Sequence, residues 1–547
     1  MVIFGMGKIK NTIAKFNIKL PISLAAAMLA GSTLVSSLLG LLRDRQLNSL
    51  YYTTYPQGID AYTVAFTIPD FMFFILVSGA LSVTFIPIFN QRLAENNKKS
   101  AWELSTSVIN MMAIVTIIAS VLIIIFAEPL IKYIVGPGLN ESSRALAVSM
   151  MRVIAVNPFL FAIASVIASM QQAIGRFTFY AMAPAIYNIG IIIGAVFFTN
   201  GINIFGWQIF DGGIMGVALG VILGSIMQLL VSCIGLFGMG FDYRFKIYWR
   251  NKGFRRFLSI LPARSLDQGI DYINGIVETN LSSRMVAGTI RAYQQASSLS
   301  YVPVSLIGVA ISTAAFPKMA ERLGQGRPDL FKKELQSVLR VIVWLALPVT
   351  AITFLCRGYL ISFINNGGDT LMSSILGILA LAILFRSVFH IAARSFYAQQ
   401  DTKTPLYISF VAIGLNIALA IIFTLVLDMG AYGLAWASAI VAMVEVSILF
   451  FMMSRQIKGI FDGTFVHAIY RMVIATGLMT IVTYICIHIF PFKSNDHSFF
   501  AVFPKFAVIV AISLSIYVTI CKLFRLPEVD PILTKIKTFL FGKFRKV

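Results

Sequence analysis

Charged residues are scarce in this chain of 547 residues: they make up 12% of it, against 58% hydrophobic residues. Soluble globular proteins carry about 25% charged residues, so the composition excludes a soluble domain as the main body. Cysteine is also rare. The four cysteines lie far apart, which predicts neither a disulfide framework nor a metal site, and the four histidines lack metal-ligand spacing.

Long apolar runs are abundant, and we count fourteen of them. Each run is about 20 residues or longer without strict alternation, which favours membrane-spanning helices over the alternating strands of about 10 residues found in barrels. No small-residue cleavage site follows the first run, so no cleavable signal peptide is expected. The predicted spans are residues 21–42, 60–90, 105–127, 145–171, 178–200, 212–238, 257–283, 288–317, 334–356, 371–398, 404–427, 429–454, 467–490 and 499–521.

Basic residues outnumber acidic ones, 44 to 23, and their positions indicate topology rather than nucleic-acid binding. The two terminal segments and alternate loops together hold 30 of the 44 Lys and Arg residues. Because cytoplasmic loops are enriched in Lys and Arg, both termini are predicted to be cytoplasmic, as an even number of spans requires. The tail alternates basic and apolar residues like a helix that lies on anionic lipid.

The chain contains an internal repeat. Six spans recur as a second set of six in the same orientation, and one outer loop differs by eleven residues between the copies. Two such parallel bundles are typical of transporters that bind substrate between their halves and expose it alternately. The matched positions are Gln171 with Gln399, Asn188 with Asn416, Asp211 with Asp428, Gly58 with Gly288, Pro87 with Pro317 and Arg92 with Arg322.

The predicted fold is therefore all-α and polytopic, with two pseudo-symmetric six-helix lobes and two further C-terminal helices. The predicted boundaries are a basic N-terminus at residues 1–20, an N-lobe at 21–238, an amphipathic cytoplasmic linker at 239–256, a C-lobe at 257–454, the last two spans at 455–523 and a basic amphipathic tail at 524–547.

Several charged residues fall within the predicted spans or at their ends. A charge at mid-bilayer costs roughly 3 kcal/mol on insertion scales, so these side chains are expected to face protein or a wet cavity. An excess of arginine suits an anionic substrate, because guanidinium groups bind phosphate oxygens in a two-point fork. Alternatively, Arg43 and Asp44 only cap a helix end and pair with each other. The candidate residues are Arg43, Asp44, Asp60, Arg264, Asp267, Asp271, Arg291, Arg386, His390 and Arg394.

Five ordered stretches carry a family resemblance. They resemble the lipid II flippases of peptidoglycan synthesis, the MurJ/MviN family of the multidrug/oligosaccharidyl-lipid/polysaccharide exporter superfamily. The stretches are LLGLLRD (Leu38–Asp44), GIDAYTVAFTIPD (Gly58–Asp70), SGALSVTFIP (Ser78–Pro87), QGIDYINGIVETNL (Gln268–Leu281) and FYAQQDTKTP (Phe396–Pro405).

The resemblance implies a central cationic cavity, a groove for a lipid tail beside the last two spans, and a location in the bacterial inner membrane. It implies transport of an undecaprenyl-diphosphate-linked sugar–peptide from the inner to the outer leaflet. The family's essential Arg-Asp pair falls on Arg43 and Asp44, and a further family Asp falls on Asp60. The chain departs from the family where arginine or glutamate is expected, at Ser37, Phe73, Phe74, Ser78 and near Ser298.

The predicted mechanism is alternating access without bond making or breaking, hence no enzyme activity and no cofactor. Arg43, Arg264 and Arg291 would hold the diphosphate and sugar, with Asp44 and Asp60 orienting them. Asp267 and Asp271 are candidates for coupling to Na⁺ or H⁺, and the membrane potential is an alternative driving force. The residues Arg386, His390 and Arg394 form an accessory cationic stripe.

The expected partners are lipid II and the bilayer, with a monomeric protein that contacts cell-wall synthesis proteins and no nucleic acid. The lost family charges leave another polyprenyl-diphosphate-linked oligosaccharide open as the substrate. A multidrug or cation antiporter of the same superfamily is a further alternative, although it predicts an acidic cleft. Two other classes of protein are further alternatives. A membrane scaffold would need no cavity. A glycosyltransferase that acts on polyprenyl lipid would need clustered carboxylates in a large outer loop, whereas the predicted outer loops here are short.

Overall fold

A computed structural model describes residues 22–78, 81–204, 207–493, 496, 498–530 and 534. Twelve helices in these ranges are long and apolar enough to cross a membrane. Two further helices, Ile22–Leu47 and Lys252–Ser282, coincide with the first and seventh predicted spans. Polar and charged residues lower the mean hydropathy of Lys252–Ser282. The predicted all-α, polytopic membrane fold is confirmed, and these fourteen helices are consistent with the predicted number of spans.

The first compact unit ends at Arg291. Its helices are α1 Ile22–Leu47, α2 Pro56–Phe73, α3 Ile86–Ala94, α4 Lys98–Pro129, α5 Glu141–Ile154, α6 Asn157–Ile174, α7 Thr178–Phe197, α8 Met215–Ile234 and α9 Lys252–Ser282. Shorter turns extend or interrupt these helices. They are the π-helical turns Asn48–Tyr52, Phe74–Ser78, Leu81–Phe85 and Leu130–Val135 and the 3-10 turn Phe198–Asn200.

A small hairpin joins α7 to α8. Its strands are β1 Ile202–Ile204 and β2 Trp207–Phe210, antiparallel, with Ile204 opposite Trp207. The hairpin occupies the loop in which the two copies of the repeat differ by eleven residues. The sequence repeat therefore located the insertion, although the strands themselves were not predicted.

The second compact unit begins at Ala292. Its helices are α10 Thr289–Pro303, which starts in the first unit, α11 Ala310–Gly324, α12 Pro328–Leu355, α13 Arg357–Ile364, α14 Thr370–Ala398, α15 Lys403–Ile421, α16 Gly430–Gln456, α17 Gly463–Ile489 and α18 Phe499–Leu523. Shorter turns complete it. They are the π-helical turns Val304–Val309 and Ile422–Val426 and the 3-10 turn Pro527–Val529.

Side-chain caps fix where several helices begin. A side-chain oxygen at each of these positions accepts a hydrogen bond from a backbone N–H in the first turn, which satisfies a donor that the helix itself leaves free. The capping residues are Asn97 for α4, Asn140 for α5, Asn251 for α9, Asp369 for α14 and Asp462 for α17.

Each unit has its own buried core. In the first unit, Phe85 and Phe89 pack with Phe254 and Phe257, which ties α3 to the start of α9. In the second unit, one cluster joins α12, α14 and α16, and another packs α17 and α18 around Tyr517. Tyr517 donates its hydroxyl proton to the backbone oxygen of Trp344 at 2.8 Å, so the last two helices are attached to α12.

Helix boundaries reproduce the repeat. Helix α3 ends at Ala94 and α11 at Gly324, while α4 begins at Lys98 and α12 at Pro328, each pair 230 positions apart. The turns that follow α3 and α11 also contain the same kind of side-chain hydrogen bond, from an arginine to the residue three positions later. Arg92 donates to Glu95 at 2.9 Å, and Arg322 donates to Gln325 at 3.1 Å. The pseudo-symmetry predicted from the sequence is confirmed at these boundaries.

The division into compact units falls at Arg291, so the seventh span, α9, belongs to the first unit. The predicted lobe boundaries at 238 and 257 follow the sequence repeat instead and stay predictions. The basic N-terminus at residues 1–20 and most of the tail beyond residue 530 lie outside the described residues.

Candidate functional site

The charged end of α1 forms an ion cluster around Asp44. One carboxylate oxygen of Asp44, Oδ1, accepts hydrogen bonds from Arg43 Nη2 at 3.0 Å and from Arg291 Nη2 at 3.2 Å. Arg43 Nε donates to the same oxygen at 3.2 Å. Two guanidinium groups therefore converge on one carboxylate within the first unit, although their residues are far apart in sequence.

Arg43 is also held from helix α7. Its Nη1 donates to Asn188 Oδ1 at 2.9 Å, while the amide of Asn188 donates to the backbone oxygen of Ser36 at 3.2 Å. These contacts of Arg43 use three of the five N–H donors that a guanidinium carries. The Arg43 side chain is 25% exposed, so it keeps donors and open surface for an external acceptor.

Arg291 is more enclosed than Arg43. Its side chain is 4% exposed, and its Nε donates to Asn48 Oδ1 at 2.9 Å. Asn48 begins the π-helical turn that follows α1, and such turns are frequent at functional sites. In this conformation Arg291 braces Asp44 and Asn48 from the start of α10.

Asp60 supports Arg291 through the backbone. Its carboxylate accepts from Gly288 N at 2.6 Å and from Arg291 N at 2.9 Å, and the residue is 3% exposed. A carboxylate at a helix N-terminus is stabilised by the free N–H groups and the helix dipole. Gly288 has φ +92°, a left-handed conformation that glycine adopts without steric cost.

The charges of the cluster balance formally, with two arginines against Asp44 and Asp60. Because Asp60 is bonded to backbone amides, the group formed by Arg43, Asp44 and Arg291 carries a local excess of one positive charge. A carboxylate or phosphate oxygen approaching Arg43 would meet guanidinium donors in a site of low dielectric constant, where charged hydrogen bonds are strong.

Three other predicted residues fall on α9. The backbone at Arg264, Asp267 and Asp271 is helical, but their side chains lie outside the described part of the structure. Their predicted roles in substrate binding and ion coupling stay predictions.

The accessory stripe lies on α14 in the second unit. Arg386, His390 and Arg394 occupy successive turns and are half-buried. Arg386 donates from Nη2 to the hydroxyl of Ser438 on α16. The three side chains thus lie along one face of α14, in a different unit from the Asp44 cluster, and their role as an accessory anion surface stays a prediction.

Two positions where the resemblance places arginine hold aromatic contacts instead. Phe74 stacks on Tyr272 of α9, with ring centroids 4.3 Å apart, and Phe73 meets Phe161 edge-on at 5.6 Å. Phe161 in turn contacts Tyr187, next to Asn188. An aromatic row therefore lies beside the cluster.

The FYAQQDTKTP stretch has a structural role. Asp401 Oδ1 accepts from Lys403 N at 3.1 Å and from Thr404 N at 3.0 Å at the start of α15. Hydrogen bonds from the side chain and backbone of Thr404 hold the pKa of Asp401 below its usual value.

Asn48, Asn188 and Gly288 are site residues that charge-based reasoning missed. The repeat carried a signal for two of them, because Asn188 aligns with Asn416 and Gly288 with Gly58. Within the described residues, no group of three or more His, Cys, Asp or Glu side chains is placed to hold a metal ion. The described cluster is suited to binding an anionic group.

A model of the family described as lipid II flippase MurJ matches residues 57–503. A probable lipid II flippase MurJ of Thermotoga maritima is 25% identical over 513 residues, covering 92% of this chain and 97% of the relative. A probable lipid II flippase MurJ of Buchnera aphidicola is 26% identical over 465 residues, covering 83% and 88%.

Solved structures share the fold. Lipid II flippase MurJ in an inward closed conformation matches with a TM-score of 0.73 and 23% identity, covering 91% of this chain and 98% of that one. An inward-facing multidrug resistance MATE transporter of the MOP superfamily matches with a TM-score of 0.64 and 15% identity, covering 80% and 99%. Because the family model spans most of its length, this chain belongs to the lipid II flippase MurJ family.

Proposed function

We propose that this protein moves lipid II, an undecaprenyl-diphosphate-linked sugar–peptide, from the inner to the outer leaflet of the bacterial inner membrane. Family membership supports the substrate class. The observation that carries the proposal is the convergence of Arg43 and Arg291 on Asp44 at the end of a membrane helix. A charged side chain inside a membrane helix is energetically costly, so its presence usually indicates a role in binding or in structure.

Arg43 is the residue that contacts the diphosphate. It keeps exposed surface and two N–H donors, and a guanidinium binds phosphate oxygens in a two-point geometry. Asp44 holds the Arg43 guanidinium in orientation and limits the net positive charge, so that the headgroup can leave again after transport.

Arg291 and Asp60 are positioning residues in this proposal. Asp60 fixes the backbone of Arg291, and Arg291 fixes Asp44 and Asn48. When the start of α10 moves, the geometry of Arg43 is expected to change with it, which is a route from helix motion to substrate release.

Transport proceeds by alternating access, with the polyprenyl tail in lipid beside α17 and α18 and no bond made or broken. The membrane potential supplies about 2.3 kcal/mol per charge per 100 mV, which suits an anionic cargo.

The remaining candidate residues have secondary roles in this proposal. Asp267 and Asp271 are the candidates for coupling to Na⁺ or H⁺, and Arg264 is a further substrate contact. The α14 stripe of Arg386, His390 and Arg394 is an accessory anion surface. The protein acts as a monomer with both termini in the cytoplasm.

The decisive experiment measures which leaflet holds lipid II. Cells depleted of the protein are complemented with wild type, Arg43→Ala or Arg152→Ala, and the headgroup amine is labelled with a membrane-impermeant reagent. Arg152 is an exposed arginine of α5 in the same unit, so it controls for loss of one positive charge.

Wild type and Arg152→Ala are expected to restore labelling in intact cells. Arg43→Ala is expected to leave the headgroup inside, at equal membrane levels of protein. Full restoration by Arg43→Ala would remove its binding role. Absence of any labelling change on depletion of the protein would reject lipid II transport.

A second substrate is favoured by one observation. Aromatic contacts at Phe73 and Phe74 take the place of arginines, and aromatic faces suit sugar rings better than additional phosphate. The second candidate is therefore another polyprenyl-diphosphate-linked oligosaccharide. Thermal stabilisation of the purified protein by lipid II compared with undecaprenyl diphosphate carrying a neutral oligosaccharide distinguishes the two substrates.

A further inference from the structure

The segment that joins α8 to α9, residues 241–250, is fixed along helix α4. The side chain of Asn110 donates to the backbone oxygens of Arg244 at 2.9 Å and Lys246 at 3.0 Å, and Tyr243 donates its hydroxyl proton to Asn110 Oδ1 at 2.6 Å. Further along, Tyr248 N donates to Ser107 Oγ at 2.8 Å. This α8–α9 segment is therefore held in one place although it is not helical.

Asn110 marks a change in the character of α4. The helix begins with the polar stretch KKSAWELSTSVIN, which ends at Asn110, and continues with the apolar stretch MMAIVTIIASVLIIIFA. With its π-helical turn it runs from Lys98 to Val135, 38 residues, or about 57 Å at 1.5 Å per residue. The hydrocarbon core is about 30 Å thick. With the apolar stretch of α4 in the hydrocarbon core, the contacts with Asn110 put Tyr243 to Lys246 at the level expected for the lipid headgroups.

The segment turns its apolar side chains in two directions. Phe241 and Ile247 pack inward, with the Phe241 ring 5.3 Å from that of Trp102. Phe245 and Trp249 point outward and are 86% and 58% exposed. Large exposed aromatic side chains on a fixed backbone suit the membrane interface, where tryptophan and similar rings are enriched.

Positive charge surrounds these aromatic rings. The segment and the first turns of α9 carry six basic residues against the single acid Asp242, which pairs with Arg244 at 2.9 Å. Basic groups at the headgroup level attract anionic lipids. The six are Arg244, Lys246, Arg250, Lys252, Arg255 and Arg256.

We propose that the α8–α9 segment is a binding surface for anionic phospholipid headgroups of the adjacent leaflet. Phe245 enters the acyl-chain boundary, Trp249 lies among the headgroups, and Arg244, Lys246 and Arg250 donate to lipid phosphates. Charge complementarity supports this assignment, as do the hydrogen bonds that hold the segment to Ser107 and Asn110, just before the apolar stretch of α4. It is independent of the transported substrate.

The depth of Phe245 is tested in the full-length protein in nanodiscs. A nitroxide label is attached at Phe245→Cys and, as a control, at Gln325→Cys, an exposed position between α11 and α12, both with the half-buried Cys233 replaced by alanine. The label at 245 is expected to collide more with oxygen than with a water-soluble nickel complex, and the control label the reverse. Equal access of the nickel complex at both positions would overturn the proposal.

Lipid preference is tested with charge variants. Nanodiscs containing phosphatidylcholine with or without phosphatidylglycerol are used, and the phosphatidylglycerol retained by the protein is measured by native mass spectrometry. The variant Arg244→Gln/Lys246→Gln/Arg250→Gln is compared with Lys318→Gln/Arg327→Gln/Lys333→Gln, three exposed bases in another region.

Each base removed from the α8–α9 segment is expected to reduce phosphatidylglycerol preference about fivefold, whereas the control triple variant retains it. An equal loss in both variants would mean a general effect of net charge and would overturn the proposal. So would unchanged lipid preference together with loss of a co-purifying protein, which would identify a protein partner as the occupant.

Discussion

At the scale of single residues, Asp44 has the largest number of charged partners in the first-unit cluster. Its Oδ1 accepts hydrogen bonds from both Arg43 and Arg291, and its side chain is 17% exposed. Removing one partner of a buried ion pair is more damaging than replacing the whole pair, because the remaining charge stays unpaired. Asp44 thus links the partly exposed Arg43 to the enclosed Arg291.

The sequence identified the charged members of this cluster but not their polar partners. Arg43, Asp44, Asp60 and Arg291 were candidates because charge is rare in membrane helices. The contact of Arg43 with Asn188 spans 145 positions, and that of Arg291 with Asn48 spans 243. Amide residues carry no comparable penalty, so nothing local predicts which of them meets an arginine.

The capping role of Asp60 gives a graded prediction. Replacing Asp60 with alanine leaves the N–H groups of Gly288 and Arg291 without their acceptor and is expected to destabilise the protein by about 3 kcal/mol, whereas Asp60→Asn keeps one acceptor oxygen and costs about 1 kcal/mol. Thermal unfolding of the purified variants in one detergent measures both.

If Asp60→Ala and Asp60→Asn unfold at the same temperature as wild type, Asp60 does not hold the start of α10. A loss of equal size in both variants would instead indicate that the negative charge, rather than acceptor geometry, stabilises the helix N-terminus.

At the scale of elements, helices α7 and α8 pack at the distance of backbone contact. A Cβ built on Gly190 would lie 2.2 Å from the Cα of Gly224, and one built on Gly194 would lie 2.4 Å from the Cα of Gly220. Small residues in membrane helices permit such close approach, and packing replaces the hydrophobic effect as the attraction between helices. Since α7 carries Asn188, this contact also positions the partner of Arg43.

A substitution at this contact tests its importance. Gly220→Ala forces the backbones apart, because the added Cβ would lie 2.6 Å from Gly194 Cα, and is expected to cost about 1–3 kcal/mol. The matched control is Gly414→Ala on α15, where a Cβ meets nothing within 4 Å. The control is expected to be neutral or to stabilise by up to about 1 kcal/mol.

Thermal unfolding and lipid II transport are both measured for the two variants. Gly220→Ala is expected to lower both, since α7 moves with Asn188. Behaviour of Gly220→Ala like that of Gly414→Ala would show that α7 and α8 are not in close contact in the membrane.

Elements were predictable to different degrees for physical reasons. The thickness of the hydrocarbon core requires apolar runs of about 20 residues, so the spans could be predicted from the positions of such runs in the sequence. The π-helical turns and the hairpin Ile202–Phe210 left no such pattern, because they depend on local backbone geometry. Helix Lys252–Ser282 is the intermediate case: its charges make it the least apolar of the predicted spans, and the repeat, which aligns it with α1, supports its place in the count.

At the scale of the whole molecule, charge distribution and helix count agree on topology. Thirty of the 44 basic residues lie on one predicted face, which is the pattern that insertion into the membrane requires. The same face carries the α8–α9 segment. The orientation therefore determines which leaflet that segment contacts.

Cysteine accessibility in intact cells tests this orientation. Lys99→Cys lies at the exposed start of α4 and Gln325→Cys in an exposed turn, both on the predicted basic face, and Asn200→Cys and Leu427→Cys lie in exposed turns of the other predicted face. A membrane-impermeant maleimide is expected to label the latter pair in intact cells and the former only after permeabilisation. The native cysteines are buried or half-buried, so the unmodified protein serves as the unlabelled control. Labelling of Lys99→Cys and Gln325→Cys from outside would invert the topology, and the α8–α9 segment would then lie in the outer leaflet.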